Sequence, residues 1–105
     1  MPQFAVYRND NPASRDRYPL LVDVQSDLLE ALQSRVVIPM SRRDTFGNAR
    51  MTRLMPVLSI DGMDYVLVTP QPAGIDRREL GVRVGDLVTE RDEIISAMDF
   101  LMLGF

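Results

Sequence analysis

The 105-residue chain is 46% hydrophobic and 26% charged, and contains neither cysteine nor histidine. That length supports one domain around one core, residues 1–105, and the balance is that of a soluble globular protein. A net charge of −3 and a sequence pI of about 4.8 have the wrong sign for a surface that grips phosphate along its length, and the two missing residue types exclude disulfides, thiol nucleophiles, imidazole triads and Cys/His zinc sites.

No apolar run is long enough to span a bilayer. Met1-Pro2-Gln3-Phe4 lacks the basic-then-apolar layout of a signal peptide, so a cytoplasmic protein without membrane association is expected. All twelve basic residues are arginine, and the adjacent pairs Arg42-Arg43 and Arg77-Arg78 fall in stretches that read as solvated loops. Phe4-Ala5-Val6-Tyr7 reads as a short first strand, and residues 8–17 as a turn-rich loop. Leu20, Val22 and Val24 then alternate with Leu21, Asp23 and Gln25, the period-2 pattern of a strand over 18–24 with one buried face. This strand ends at the polar corner Gln25-Ser26-Asp27, and Leu28 and Leu29 follow at once, an apolar pair of the kind that usually plugs the end of a barrel and less often faces a partner. Asp27, Leu28, Leu29, Glu30 and Leu32 are compatible with a capped helical turn, and only a turn is assigned there.

Residues 35–40 are apolar and β-branched and close on Pro39, as in a strand near its end or at an edge. Residues 41–52 form a second polar loop. Residues 55–60 and 63–69 flank Asp61-Gly62, a pair that accepts positive φ and favours a tight hairpin. The run Pro70 to Gly74 breaks the sheet, residues 75–80 form a short strand, Gly81 a corner and residues 82–84 another strand. Many short strands with one helix specify a mainly β (α+β) fold, a small antiparallel barrel-like sheet.

The helix is predicted over 89–103, capped by Thr89 with Glu90 and Asp92 in its first turn. Ile94, Met98, Leu101 and Met102 form one stripe for the core, while Ile95, Phe100 and Leu103 fall partly outside it. The last turn is therefore apolar nearly all round, which calls for a second subunit or a binding partner to cover it.

Catalytic constellations are sparse. Asp61 and Asp64 flank a hairpin tip, where Asp serves the backbone. Ser26 has no candidate base. Asp23 lies in an apolar strand and needs a partner, for which an arginine is the natural choice. The methionines Met51, Met55, Met63 and Met98 read as core filler, and Met102 as an adaptable contact.

Leu21-Val22-Asp23-Val24-Gln25-Ser26-Asp27 resembles the signature of the CcdB toxins, the gyrase-poisoning half of a bacterial toxin–antitoxin pair. Further matches follow in the same order: Gln3 to Tyr7, Arg35 to Pro39, Pro56 to Ile60, Asp86-Leu87, and a closing helix ending in Gly104. The resemblance implies an SH3-like antiparallel barrel with a small β wing and one C-terminal α-helix, an irregular connection after Asp27, and a homodimer. It implies a plasmid-maintenance type of toxin that binds the gyrase A subunit, traps the cleaved DNA complex and is released by a cognate antitoxin with a disordered tail. The gyrase-binding surface maps onto Ser26, Leu28, Leu29, Asp99, Met102, Leu103, Gly104 and Phe105. On this reading the chain is not an enzyme, carries no catalytic residue, metal or cofactor, and makes no direct sequence-specific contact with nucleic acid. Three positions depart from the family pattern: Leu103 stands where the family has tryptophan, Phe105 replaces an aliphatic last residue, and Asp99 replaces an asparagine. A ribonuclease toxin on the same fold is the enzymatic alternative, and a gyrase-inactive homologue that still binds antitoxin is another.

Overall fold

A computed structural model describes residues 2–47 and 52–104. Seven strands form one sheet: β1 Ala5–Asn9, β2 Leu20–Asp23, β3 Ser34–Arg42, β4 Val57–Ile60, β5 Met63–Leu67, β6 Ala73–Asp76 and β7 Leu80–Asp86. A short helix α1 spans Arg43–Phe46 and the long helix α2 spans Arg91–Leu103. The strand order is β4-β5-β3-β2-β1-β7, with β6 also pairing β3, and every pairing is antiparallel. This is the expected mostly β fold, a partly closed barrel of strands with a helix at the C-terminus.

The alternation of β2 sorts side chains to two faces, and both are buried. Leu20, Val22 and Val24 join Phe4, Val6, Ile38, Met40, Leu67, Leu87, Ile94 and Ala97 in the core. The opposite face receives Leu21 and Asp23, which sit across from Pro39 and Val37 of β3. Tyr7 lies opposite Leu21, and Arg35 opposite Ile75, so all of these share that outer face. Tyr7, Leu21, Asp23, Arg35 and Val37 are all buried there.

Several expectations shift. Phe4 precedes the first strand instead of opening it: its φ is 70°, and its N–H donates to the Asp23 carbonyl while its own carbonyl accepts from Leu87. Pro39 lies inside the central strand β3, not at an edge. On one side β3 pairs β6 up to Val37 and then β5 from Met40, so Pro39 falls at the changeover. Its carbonyl accepts from Val68 there, and no N–H is needed. The second polar loop is shortened, because β3 runs on to Arg42 and α1 follows it. The Arg42-Arg43 and Arg77-Arg78 pairs accordingly lie on β3, α1 and a 3-10 turn.

The Asp61-Gly62 hairpin forms as predicted, with φ of 51° and 79° and Ile60 paired to Met63. Consecutive positive φ values are the reason glycine is needed in such a turn. Gly81 is not a corner but lies within β7, where a close approach requires it. A Cβ at this position would stand 2.7 Å from Asp10 Oδ2 and 2.8 Å from the Arg8 carbonyl oxygen. Gly81→Ala is expected to destabilise the fold by about 1–3 kcal/mol, because a backbone oxygen cannot yield as a side-chain tip can. Urea denaturation would check this, and an unchanged midpoint would refute the crowding.

Helix α2 begins two residues later than predicted. Val88–Glu90 form a 3-10 turn whose first N–H donates to Asp86 Oδ1, and the Thr89 hydroxyl donates to Glu90 rather than capping the helix. The buried side chains of α2 are Ile94 and Ala97, with Ile95 and Met98 packed against the core. Leu101 and Met102 were expected in that stripe but are exposed, because the packing of the helix on the core ends at Met98.

Candidate functional site

The residues implicated by the sequence fall into two patches. The first is the connection after β2. Residues Asp27–Leu29 form a single 3-10 turn, and Ser26 caps it by accepting the Leu28 N–H at 3.2 Å. Ser26 thus has a backbone role. Leu28 is 94% exposed, and Leu29 half exposed.

This turn is held from below by an ion pair. Arg35 Nε and Nη2 each donate to Asp23 Oδ2 at 2.8 Å, with both side chains fully buried. Gln25 N–H donates to Asp23 Oδ1 at 3.0 Å, and the Gln25 amide donates to the Leu29 carbonyl. Burial pushes the Asp23 carboxyl above its ordinary range, against the pull of the Gln25 amide and of Arg35. The arginine partner expected for Asp23 is therefore Arg35, fixed by the β2–β3 register.

Support also comes from the side. Gln3 N–H donates to Asp27 at 2.7 Å, Arg77 Nη2 to the Glu30 carbonyl at 2.5 Å, and Gln33 Nε2 to Asp76 at 3.0 Å. Arg78 hydrogen bonds hold the Asp76 carboxyl far below the usual carboxylate range. Sequence reasoning missed Gln3, Arg77 and Asp76 as supports. Only the capping box Asp76-x-x-Glu79 around Arg77 was open to it.

The second patch is the last turn of α2. Asp99 is exposed, Met102 is 77% exposed and Leu103 60% exposed. Gly104, with φ of 81°, closes the helix by donating to the Phe100 carbonyl at 3.0 Å. The Arg53 guanidinium stands 5.0 Å from the centre of the Phe100 ring and covers part of it. Phe105 lies outside the described residues. Of the methionines, Met40 is fully buried and Met98 packs on the core, whereas Met63 is exposed and Met51 lies outside the described residues.

Among the described residues these patches present apolar side chains, and the Ser26 hydroxyl is engaged with the Leu28 N–H. Among the described residues no group of three His, Cys, Asp or Glu side chains is arranged to hold a metal ion, and no helix is long and apolar enough to cross a membrane.

Residues 3–104 match the family described as CcdB protein. The chain belongs to the CcdB family, toxins of toxin–antitoxin systems. The fold is shared more widely. A mycobacterial endoribonuclease solved in complex with its cognate antitoxin has a TM-score of 0.75 at 16% identity, covering 100% of this chain and 98% of that one. A second mycobacterial endoribonuclease has a TM-score of 0.74 at 15% identity, covering 97% and 90% of the two chains. The Mycobacterium tuberculosis toxin MazF-mt6 has a TM-score of 0.72 at 12% identity, covering 93% and 95%. These matches overturn the expectation that the chain is not an enzyme. Endoribonucleases are built on this fold end to end, so neither the fold nor its small size argues against catalysis.

Proposed function

We propose that this CcdB-family toxin acts by docking the end of α2, together with the leucines after β2, onto the A subunit of DNA gyrase, and that a cognate antitoxin with a disordered tail reverses the capture. One observation carries the reading: Leu28, Met102 and Leu103 are all more than half exposed, and each stands where the backbone is already capped. Large apolar side chains in such positions gain nothing from solvent and stabilise a complex when covered. A homodimer in the cytoplasm is part of this proposal, with the apolar faces of two helices set close to one target. The missing tryptophan at Leu103 removes the side chain that most often anchors an interface, so affinity is expected to fall below that of a tryptophan-bearing relative.

A second reading is endoribonuclease activity, favoured by the antitoxin-bound endoribonuclease whose fold this chain shares at a TM-score of 0.75. The experiment expresses the chain with and without a candidate antitoxin and measures two products. Protein-linked DNA breaks at gyrase, suppressed by antitoxin, support capture. Cleavage of RNA by the purified chain without added metal, with no gyrase-linked breaks, overturns it in favour of the second reading.

A further inference from the structure

The core support of α2 stops short of its end. Ile94 and Ala97 are buried and Ile95 and Met98 pack on the core, whereas Leu101, Met102 and Leu103 are exposed. The carbonyls of a last helical turn have no partner within the helix, and an end without packing frays. Gly104 satisfies one of them by donating its N–H to the Phe100 carbonyl at 3.0 Å.

A second restraint reaches this turn from outside the helix. The Arg53 guanidinium stands 5.0 Å from the centre of the Phe100 ring, inside the roughly 6 Å over which an aromatic face attracts a cation. Arg53 projects from a fixed base, because nearby Pro56 is buried and its carbonyl accepts the Leu67 N–H at 2.9 Å. Arg53 itself is exposed, Phe100 is half-buried, and Arg53 forms no ion pair among the described residues. No carboxylate therefore competes with the ring for the guanidinium. Phe100 lies one turn before Leu103, on the same side of the helix. One residue thus takes both restraints, Arg53 on its ring and Gly104 on its carbonyl. Anchors that are already ordered bind more tightly than anchors that must be ordered on contact.

We propose that Arg53 is a positioning residue for the docking end of α2: through the face of Phe100 it keeps the last helical turn formed, and so presents Met102 and Leu103 ready for a partner. This deepens the docking proposal above and rests on it. The competing role is direct contact between Arg53 and a carboxylate of the partner, and the two roles differ in how they depend on Phe100.

The test is a cycle of Arg53→Gln, Phe100→Leu and the double variant in the full chain, read by amide hydrogen exchange, binding to the gyrase A subunit and a melting curve. Arg53→Gln should speed exchange at the Met102, Leu103 and Gly104 amides by about two- to fivefold and weaken capture by a similar factor. Exchange in the strands and the melting temperature should stay nearly unchanged. In the Phe100→Leu background the same substitution should alter neither exchange nor capture. Arg53→Lys, which keeps the charge but stacks less well, should recover part of both effects.

Unchanged exchange at those amides in Arg53→Gln overturns the proposal. So does an equal loss of capture with and without the Phe100 ring, larger at low salt, which would put Arg53 directly against a partner carboxylate. Met102→Glu with Leu103→Glu separates the restraint from the reading it rests on. If capture survives that change, the docking reading falls and the part of Arg53 in capture falls with it. If capture is lost there while Arg53→Gln leaves exchange unchanged, docking stands and only the positioning role is refuted.

Discussion

Arg35→Met is expected to cost about 3–5 kcal/mol of folding free energy, because it leaves the Asp23 carboxylate buried without its counter-charge. Arg35 meets Asp23 through two nitrogens at 2.8 Å, and neither side chain touches solvent. The loss should extend beyond global stability. Gln25 bonds to Asp23 through its N–H and to Leu29 through its side chain, while its own side-chain oxygen accepts from Val36. Loosening Asp23 therefore loosens the turn that presents Leu28. A second variant separates charge from packing. Asp23→Leu combined with Arg35→Met removes both ionic groups, and apolar replacements of such pairs are commonly neutral or stabilising. Most of the lost stability should return in urea denaturation of the double variant.

The pH dependence of the single variant carries a definite sign. Without Arg35 the buried carboxyl has its pKa raised further above the unfolded value, so the native state binds the proton more readily than the unfolded chain. Stability should then be greatest below the unfolded pKa of about 4, and decline as pH rises toward the native value. A single variant that loses less than about 1 kcal/mol, with no such slope, would show that the pair does not hold the turn.

The need for an arginine at Asp23 was legible because a carboxylate within an apolar run has few other ways to be satisfied. Which arginine was not legible, since Arg35 is fixed only by the pairing of Asp23 with Val37. Pro39 was misplaced for a related reason. A missing N–H reads as an edge unless one knows that β6 and β5 share one side of β3. The α2 stripe was right in phase and wrong in extent: periodicity gives the faces of a helix, not where its packing on the core ends. The candidate site was readable only in part: Leu103 fell partly outside the core stripe, whereas Met102 was assigned to that stripe and Leu28 to a barrel plug, and the structure exposes both. The supports Gln3, Asp76 and Arg77 act across 24 to 47 residues of chain, a separation at which local pattern is silent.

Met102→Glu combined with Leu103→Glu is expected to weaken target capture by about a hundredfold or more while leaving thermal stability nearly unchanged. Truncating buried apolar anchors of an interface costs about 2–4 kcal/mol, and a carboxylate in their place must also be desolvated when the partner closes over it. The fold has little to lose at these positions. Met102 is 77% and Leu103 60% exposed, and exposed substitutions of this kind fall within about 0.5 kcal/mol. The helix already ends on the Gly104 bond to Phe100. Deleting residues 103–105 should act in the same direction, and Leu103→Trp in the opposite one if the target pocket accepts the larger ring. The measurements are binding to the gyrase A subunit in solution and growth arrest in cells, each beside a melting curve. Three results would each redirect the mechanism. Unchanged capture would remove the α2 end from the interface. Unchanged toxicity despite lost capture would place the killing activity elsewhere on the chain, which is the outcome a ribonuclease would give. A fall of many degrees in melting temperature would mean that the helix end is covered by a second subunit and holds the assembly together.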